Sequence, residues 1–92
     1  MTPEQRKLAR HALGLDRSKK TYRNRFITPP RGPEYAEWIQ MVDNGFAWRR
    51  PGVERECAYD MFGMTLTGAL AVLEPGESLC QEDFPKADNQ SN

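Results

Sequence analysis

Residues 33–52 read PEYAEWIQMVDNGFAWRRPG, and the hydrophobic period changes inside this stretch. Tyr35, Trp38, Ile39 and Val42 stand at i, i+3, i+4 and i+7, the stripe of a helix with one buried face. Glu34, Glu37, Gln40 and Asp43 form the opposite, acidic row. The spacing predicts a helix over 33–43 that stops at Asn44-Gly45, a pair suited to a helix C-terminus. From Phe46 the period becomes two, so a strand over 46–50 is expected with Phe46 and Trp48 inward. Pro51-Gly52 marks a turn, and Cys57 to Met64 supplies a second strand. Residues 46–64 therefore read as a β-hairpin with its loop near 51–55.

The flanks add two helices. Thr2-Pro3-Glu4-Gln5 has a capping residue, a proline for the first turn and a Gln three residues after the cap. Leu8, Ala12 and Leu15 give that helix a modest apolar stripe, Gly14 a stop, and Arg6, Lys7, Arg10 and His11 a basic side. After the hairpin, Thr65 caps a short helix with Leu66, Ala69, Leu70 and Leu73 on one side, ended by Glu74-Pro75-Gly76. The expected organisation is a single domain over 1–76, followed by a polar, loosely ordered tail over 77–92 in which Leu79 and Phe84 are the large apolar contacts. The fold class that follows is α+β: a small domain of two or three helices with a β-hairpin.

Residues 16–32, DRSKKTYRNRFITPPRG, are the most unusual segment. Arg17, Lys19, Lys20, Arg23, Arg25 and Arg31 crowd into it, with Asn24 as a neutral donor and acceptor and Tyr22 and Phe26 interleaved. If the segment is extended, Arg17, Lys19, Arg23 and Arg25 share a face. If it is helical after Asp16, Tyr22 and Phe26 share one face and Lys19 and Arg23 another. Thr28-Pro29-Pro30 ends either form. Phe26 is expected to anchor the segment to the core, while Tyr22 suits either packing or a wet surface.

The chain has 92 residues and no net formal charge, yet its parts are polarised. Residues 1–32 hold nine cations against two acids, and residues 33–92 hold four cations against eleven acids. A uniformly basic nucleic-acid coat and a uniformly acidic DNA mimic are both excluded. No apolar run reaches the roughly 18–20 residues of a membrane span. The first residues lack the apolar stretch of a secretory signal, so a cytoplasmic location is expected. Cys57 and Cys80, with His11 the single histidine, do not have metal-ligand spacing. Phosphate-loop, G-x-S-x-G and H-E-x-x-H motifs are absent, and His11 lacks a marked nucleophile or acid partner. Glu54, Glu56 and Asp60 read as a loop and the wet face of a strand. The expectation is a protein that is not an enzyme and uses no cofactor or metal.

Two local resemblances extend this reading. Trp38-Ile39-x-x-Val42-x-x-Gly45-Phe46-x-x-Arg49 resembles the junction of helix and wing in winged-helix proteins, and Met64 to Leu70 resembles the "LT-x-x-G" start of their last helix. That resemblance implies a winged-helix-like domain. The segments His11–Leu15, Tyr22–Asn24, Phe26, Gly32–Tyr35 and Trp38–Gly45 resemble a pattern in small phage and prophage proteins. Such proteins include DNA-binding regulators and inhibitors of host machinery, anti-CRISPR proteins among them. The expected function is a phage-type inhibitor that binds a host nucleoprotein complex, such as a CRISPR effector, in the cytoplasm of the host bacterium. The alternative is a winged-helix DNA-binding transcriptional regulator. Neither reading needs a membrane or a small-molecule substrate.

The expected contact residues are Arg17, Lys19, Lys20, Arg23, Asn24, Arg25 and Arg31, with Arg49 and Arg50 extending the surface from the strand end. Arginine forks suit phosphate oxygens, and lysines add point charge. The competing reading is a merely solvated face, or self-neutralisation by Glu74, Glu77, Glu82, Asp83 and Asp88.

Overall fold

A computed structural model describes residues 1–52 and 59–85. The chain runs α1 (Pro3–Leu13), β1 (Phe26–Thr28), α2 (Tyr35–Asp43), β2 (Ala47–Arg50), β3 (Asp60–Met64) and α3 (Leu66–Val72). The strands form one antiparallel sheet in the order β1-β3-β2. This is the α+β arrangement of helices and hairpin read from the sequence, and a single helix, α2, separates β1 from β2. No helix among the described residues is long and apolar enough to cross a membrane.

Local chemistry sets the helix ends. Thr2 Oγ1 accepts from the Gln5 N–H at 3.1 Å, and Gln5 Oε1 accepts from the Thr2 N–H at 3.2 Å, a complete capping box. Gly14 closes α1 at φ 86°, a left-handed conformation that glycine adopts freely. Thr65 Oγ1 accepts from the Gly68 N–H at 3.1 Å and donates to the Gly45 carbonyl at 2.8 Å. One hydroxyl thus caps α3 and ties it to the end of α2. A Cβ at Gly68 would run into the Phe46 carbonyl, so α3 sits on that turn with no room for a side chain.

The helices pack on one face of the sheet. Ala9, Ala12 and Leu13 of α1, Trp38 and Met41 of α2, and Ala69 and Val72 of α3 bury themselves with Ala47, Phe62 and Met64. Each large apolar side chain so buried stabilises the fold by roughly 1.5–3 kcal/mol. The Trp38 ring lies 5.3 Å from Phe26 and 5.5 Å from Phe62, stacked on the latter. Its buried indole N–H has no acceptor among the described residues, a cost of about 1–3 kcal/mol that the ring contacts must exceed.

Several expectations are corrected. The hairpin strand begins at Ala47 and its phase is inverted. Phe46 does pack against the core, but from the turn: its N–H donates to the Met41 carbonyl at 2.9 Å and its carbonyl accepts from the Thr65 N–H at 3.0 Å. Ala47 therefore faces the core, and Trp48 faces away from it with its indole laid over Gly63. Asp60, expected on the wet face, is only 4% exposed and stands on the inner face. In α3, Val72 is buried and Leu70 is exposed. Cys57, Glu54 and Glu56 lie outside the described residues.

Residues 77–85 are held against the body, not loose. Arg10 grips Glu77 with two bonds, at 2.6 and 2.7 Å. Ser78 makes a parallel bridge to Lys20, the Cys80 N–H donates to Thr21 Oγ1 at 2.7 Å, and Phe84 is buried. A few long-range partners override a polar composition here. Residues 86–92 lie outside the described residues.

Candidate nucleic-acid interface

Residues 16–25 adopt neither the helix nor the regular strand weighed from sequence. They form a turn and an irregular run pinned by their backbone. The Tyr22 N–H donates to the Leu13 carbonyl at 3.2 Å and the Arg25 N–H to the Ala12 carbonyl at 3.3 Å. The Ser78 N–H donates to the Lys19 carbonyl at 2.9 Å, and the Thr21 N–H to the Ser78 carbonyl at 3.0 Å. Thr21 is buried between these anchors. The main chain is thus fixed from both sides while the charged side chains around it stay in water.

Six of the nine expected contact residues keep their charge uncommitted. Arg17, Lys19, Lys20 and Arg25 are exposed on this segment, Arg31 is exposed in the turn before α2, and Arg50 is exposed at the end of β2. None of the six forms an ion pair with a described residue. The other three serve the fold. Arg23 donates from Nε at 3.1 Å and Nη2 at 2.7 Å to the His11 carbonyl, bracing the last turn of α1. Its guanidinium also sits 5.3 Å from the centre of the Tyr22 ring. Asn24 uses its whole amide on Met64, donating to that carbonyl at 3.0 Å and accepting from that N–H at 2.7 Å. It thereby continues the β1–β3 pairing with a side chain. Arg49 donates to Asp60 Oδ2 at 2.7 Å.

Of the carboxylates expected to neutralise the segment, Glu74 and Glu77 are occupied elsewhere, Glu82 and Asp83 form no ion pair with a described residue, and Asp88 lies outside the described residues. Glu74 pairs with Arg6 at 3.3 Å and with Arg10 at 3.7 Å, and Glu77 with Arg10 at 2.6 Å, all on α1. The Arg10 hydrogen bond holds the Glu77 carboxyl down to about 2. Asp16 accepts from His11 Nδ1 at 2.6 Å, which lowers its pKa, and stands 3.9 Å from Arg23. Asp60, like Glu77, accepts three hydrogen bonds from described residues. It accepts from the Gly52 N–H at 2.9 Å and from Tyr35 Oη and Arg49 Nε at 2.7 Å each, and its pKa falls to about 2. This cluster fixes the base of the hairpin loop on α2 and draws the Arg49 guanidinium inward.

Aromatic placement divides as follows. Phe26 anchors to the core through Trp38 and meets the His11 ring edge-on at 6.2 Å. Tyr22 lies over Gly14, where a Cβ would collide with its ring, and stays 52% exposed. The residues missed by sequence reasoning are on the outer sheet face: Ile27, Met61 and Trp48, none of which packs against the core. One signal pointed there. Gly63 interrupts a strand otherwise filled with large side chains, which marks a close approach, here by Trp48.

Comparison with protein-family models, curated proteins and solved structures finds no significant match. What the chain can do is therefore read from its own surface. Among the described residues no group of three or more His, Cys, Asp and Glu is placed to hold a metal. The His11–Asp16 pair is exposed. The surface offers uncommitted guanidinium and ammonium groups on a rigid main chain, beside an outward aromatic. That chemistry fits phosphates and bases.

Proposed function

We propose that this chain is a non-enzymatic binding protein that engages nucleic acid, alone or held within a nucleoprotein complex, through its basic segment. The observation that carries the reading is the division of charge. Glu74 and Glu77 are taken by Arg6 and Arg10, while Arg17, Lys19, Lys20, Arg25, Arg31 and Arg50 have no ion pair with a described residue. The narrower reading is a phage-type inhibitor of a host nucleoprotein complex of the CRISPR type, acting in the host cytoplasm. It rests on the sequence resemblance and on a surface suited to occupy a nucleic-acid path.

A regulator that reads duplex DNA with a helix is less well supported. The outward row of α2 is Glu34, Glu37, Gln40 and Asp43, and phosphates repel such a row. Gln5 of α1 also donates to Glu37 at 3.3 Å and to Gln40 at 2.8 Å, so part of that row faces its own domain. The test is fluorescence anisotropy of labelled single-stranded and duplex oligonucleotides, paired with a plasmid-interference assay in a bacterium carrying a CRISPR effector. Binding at low salt that weakens steeply as salt rises supports the broad reading, and restored transformation supports the narrow one. Absence of nucleic-acid binding together with intact interference would overturn both.

A further inference from the structure

We propose that the open face of the sheet is a stacking platform for single-stranded nucleic acid, with Trp48 as the base-stacking residue. This rests on the nucleic-acid reading above and names the form of nucleic acid and the place where its bases sit. The register puts Ile27, Met61 and Arg50 on one rung and Gly63 and Trp48 on the next, all facing away from the helices. Arg25, two residues before Ile27, is exposed just ahead of β1 and lines a surface cleft together with Ile27. Neighbouring strands lie about 4.8 Å apart, so Ile27 and Arg50 are separated by roughly 10 Å across Met61.

Three features point to bases and phosphates as the occupant. The indole of Trp48 lies over Gly63, so close that a Cβ there would meet Cζ2, Cε2 and Nε1. An aromatic ring laid on a flat sheet offers its π face to a second flat ring. Arg25 and Arg50 flank the apolar rungs with forks suited to phosphate oxygens, and no carboxylate stands on these rungs. Ile27 is 49% exposed and is not packed against the core. Asp83, Phe84 and Pro85 border a cleft of about 230 Å³ beside Trp48. Asp83 repels phosphates there, so the strand's backbone runs along the Ile27–Met61–Arg50 rung, away from the cleft, and a base points toward it. A duplex, with its bases already stacked, cannot use this face.

The two tryptophans make the test direct. Trp38 is fully buried, so quenching by an added strand reports Trp48. The full chain is titrated with dT12 and with rU12, following intrinsic fluorescence and the anisotropy of labelled copies of the same strands. Saturable quenching by either strand is expected, with binding about tenfold weaker in Trp48→Leu, within the range of one base–aromatic stack, and also weaker in Arg50→Gln. If Trp48→Leu loses its folded signal, quenching of the unmodified chain and the Arg50→Gln comparison decide. Binding by anisotropy with unchanged Trp48 emission, and with affinity untouched by both substitutions, would overturn this placement and leave the basic-segment reading standing. Absence of binding to either strand would overturn this placement, while the basic-segment reading falls only if interference also stays intact.

Discussion

Replacing Asp60 with Asn removes a charge that three donors converge on. The Gly52 N–H uses Oδ1, while Tyr35 Oη and Arg49 Nε share Oδ2. An Asn amide has one acceptor oxygen, so whichever way it turns its NH₂ group meets a donor. At least one bond is lost and Arg49 loses its counter-charge. Hydrogen bonds to charged groups contribute about 1.5–3 kcal/mol each, so the expected loss is about 2–4 kcal/mol. That is a large part of the roughly 5–15 kcal/mol typical of a folded domain. The pH dependence has a definite sign. The Asp60 pKa is depressed from 3.8 to about 2, so its contribution is complete above the unfolded value and is lost as pH falls toward the folded one. The gap between parent and variant should therefore be widest at neutral pH and narrow between about pH 5 and 2. Glu77, lowered from 4.5 to about 2, leaves a residual acid dependence in the variant. Urea unfolding followed by tryptophan emission across that range measures both effects. A stability change under about 0.5 kcal/mol at pH 7 with an unaltered acid limb would refute the reasoning, because surface substitutions fall in that range.

Other outcomes follow from single contacts. Gly68→Ala should destabilise by about 1–3 kcal/mol in the same unfolding assay, because the new Cβ meets the Phe46 carbonyl and not a yielding side chain. Deleting residues 77–92 should lower the melting temperature markedly, since it removes the Glu77–Arg10 pair, the Cys80–Thr21 bond and the buried Phe84. Phe84→Ala alone should cost up to about 3–5 kcal/mol, read by calorimetry. Arg23→Ala should lower stability by about 1 kcal/mol through the lost α1 brace while leaving oligonucleotide affinity within about twofold of the parent.

The parts of the fold legible in the sequence are those specified within a few residues. The Thr2–Gln5 box, the α2 stripe and the Thr65 cap each need only near neighbours, and all three form, though α2 turns so that Met41, outside the expected stripe, is buried with Trp38 while Tyr35, Ile39 and Val42 are partly covered. β1 was illegible because three residues become a strand only by pairing with residues 60–62, far along the chain. Alternation counted from Phe46 puts Trp48 on the wrong face, because the turn bonds to Met41 and Thr65 take Phe46 out of the strand. A one-residue shift moves every side chain to the opposite face. The crowding of cations before Pro29 was plain from sequence, but their division was not. Arg23, Asn24 and Arg49 were drawn inward by the His11 carbonyl, the Met64 backbone and Asp60, partners that only the folded chain brings near.

The proposed meeting of the uncommitted cations after α1 with phosphates is read from the salt dependence of affinity for a single-stranded oligonucleotide, in the parent and in the combined Arg17→Gln, Lys19→Gln, Lys20→Gln variant. Each phosphate contact contributes about −0.7 to the slope of log affinity against log salt. The variant should keep the parent's unfolding curve and show a slope shallower by about 2. Equal slopes and equal affinities for the two proteins would contradict the proposed contact.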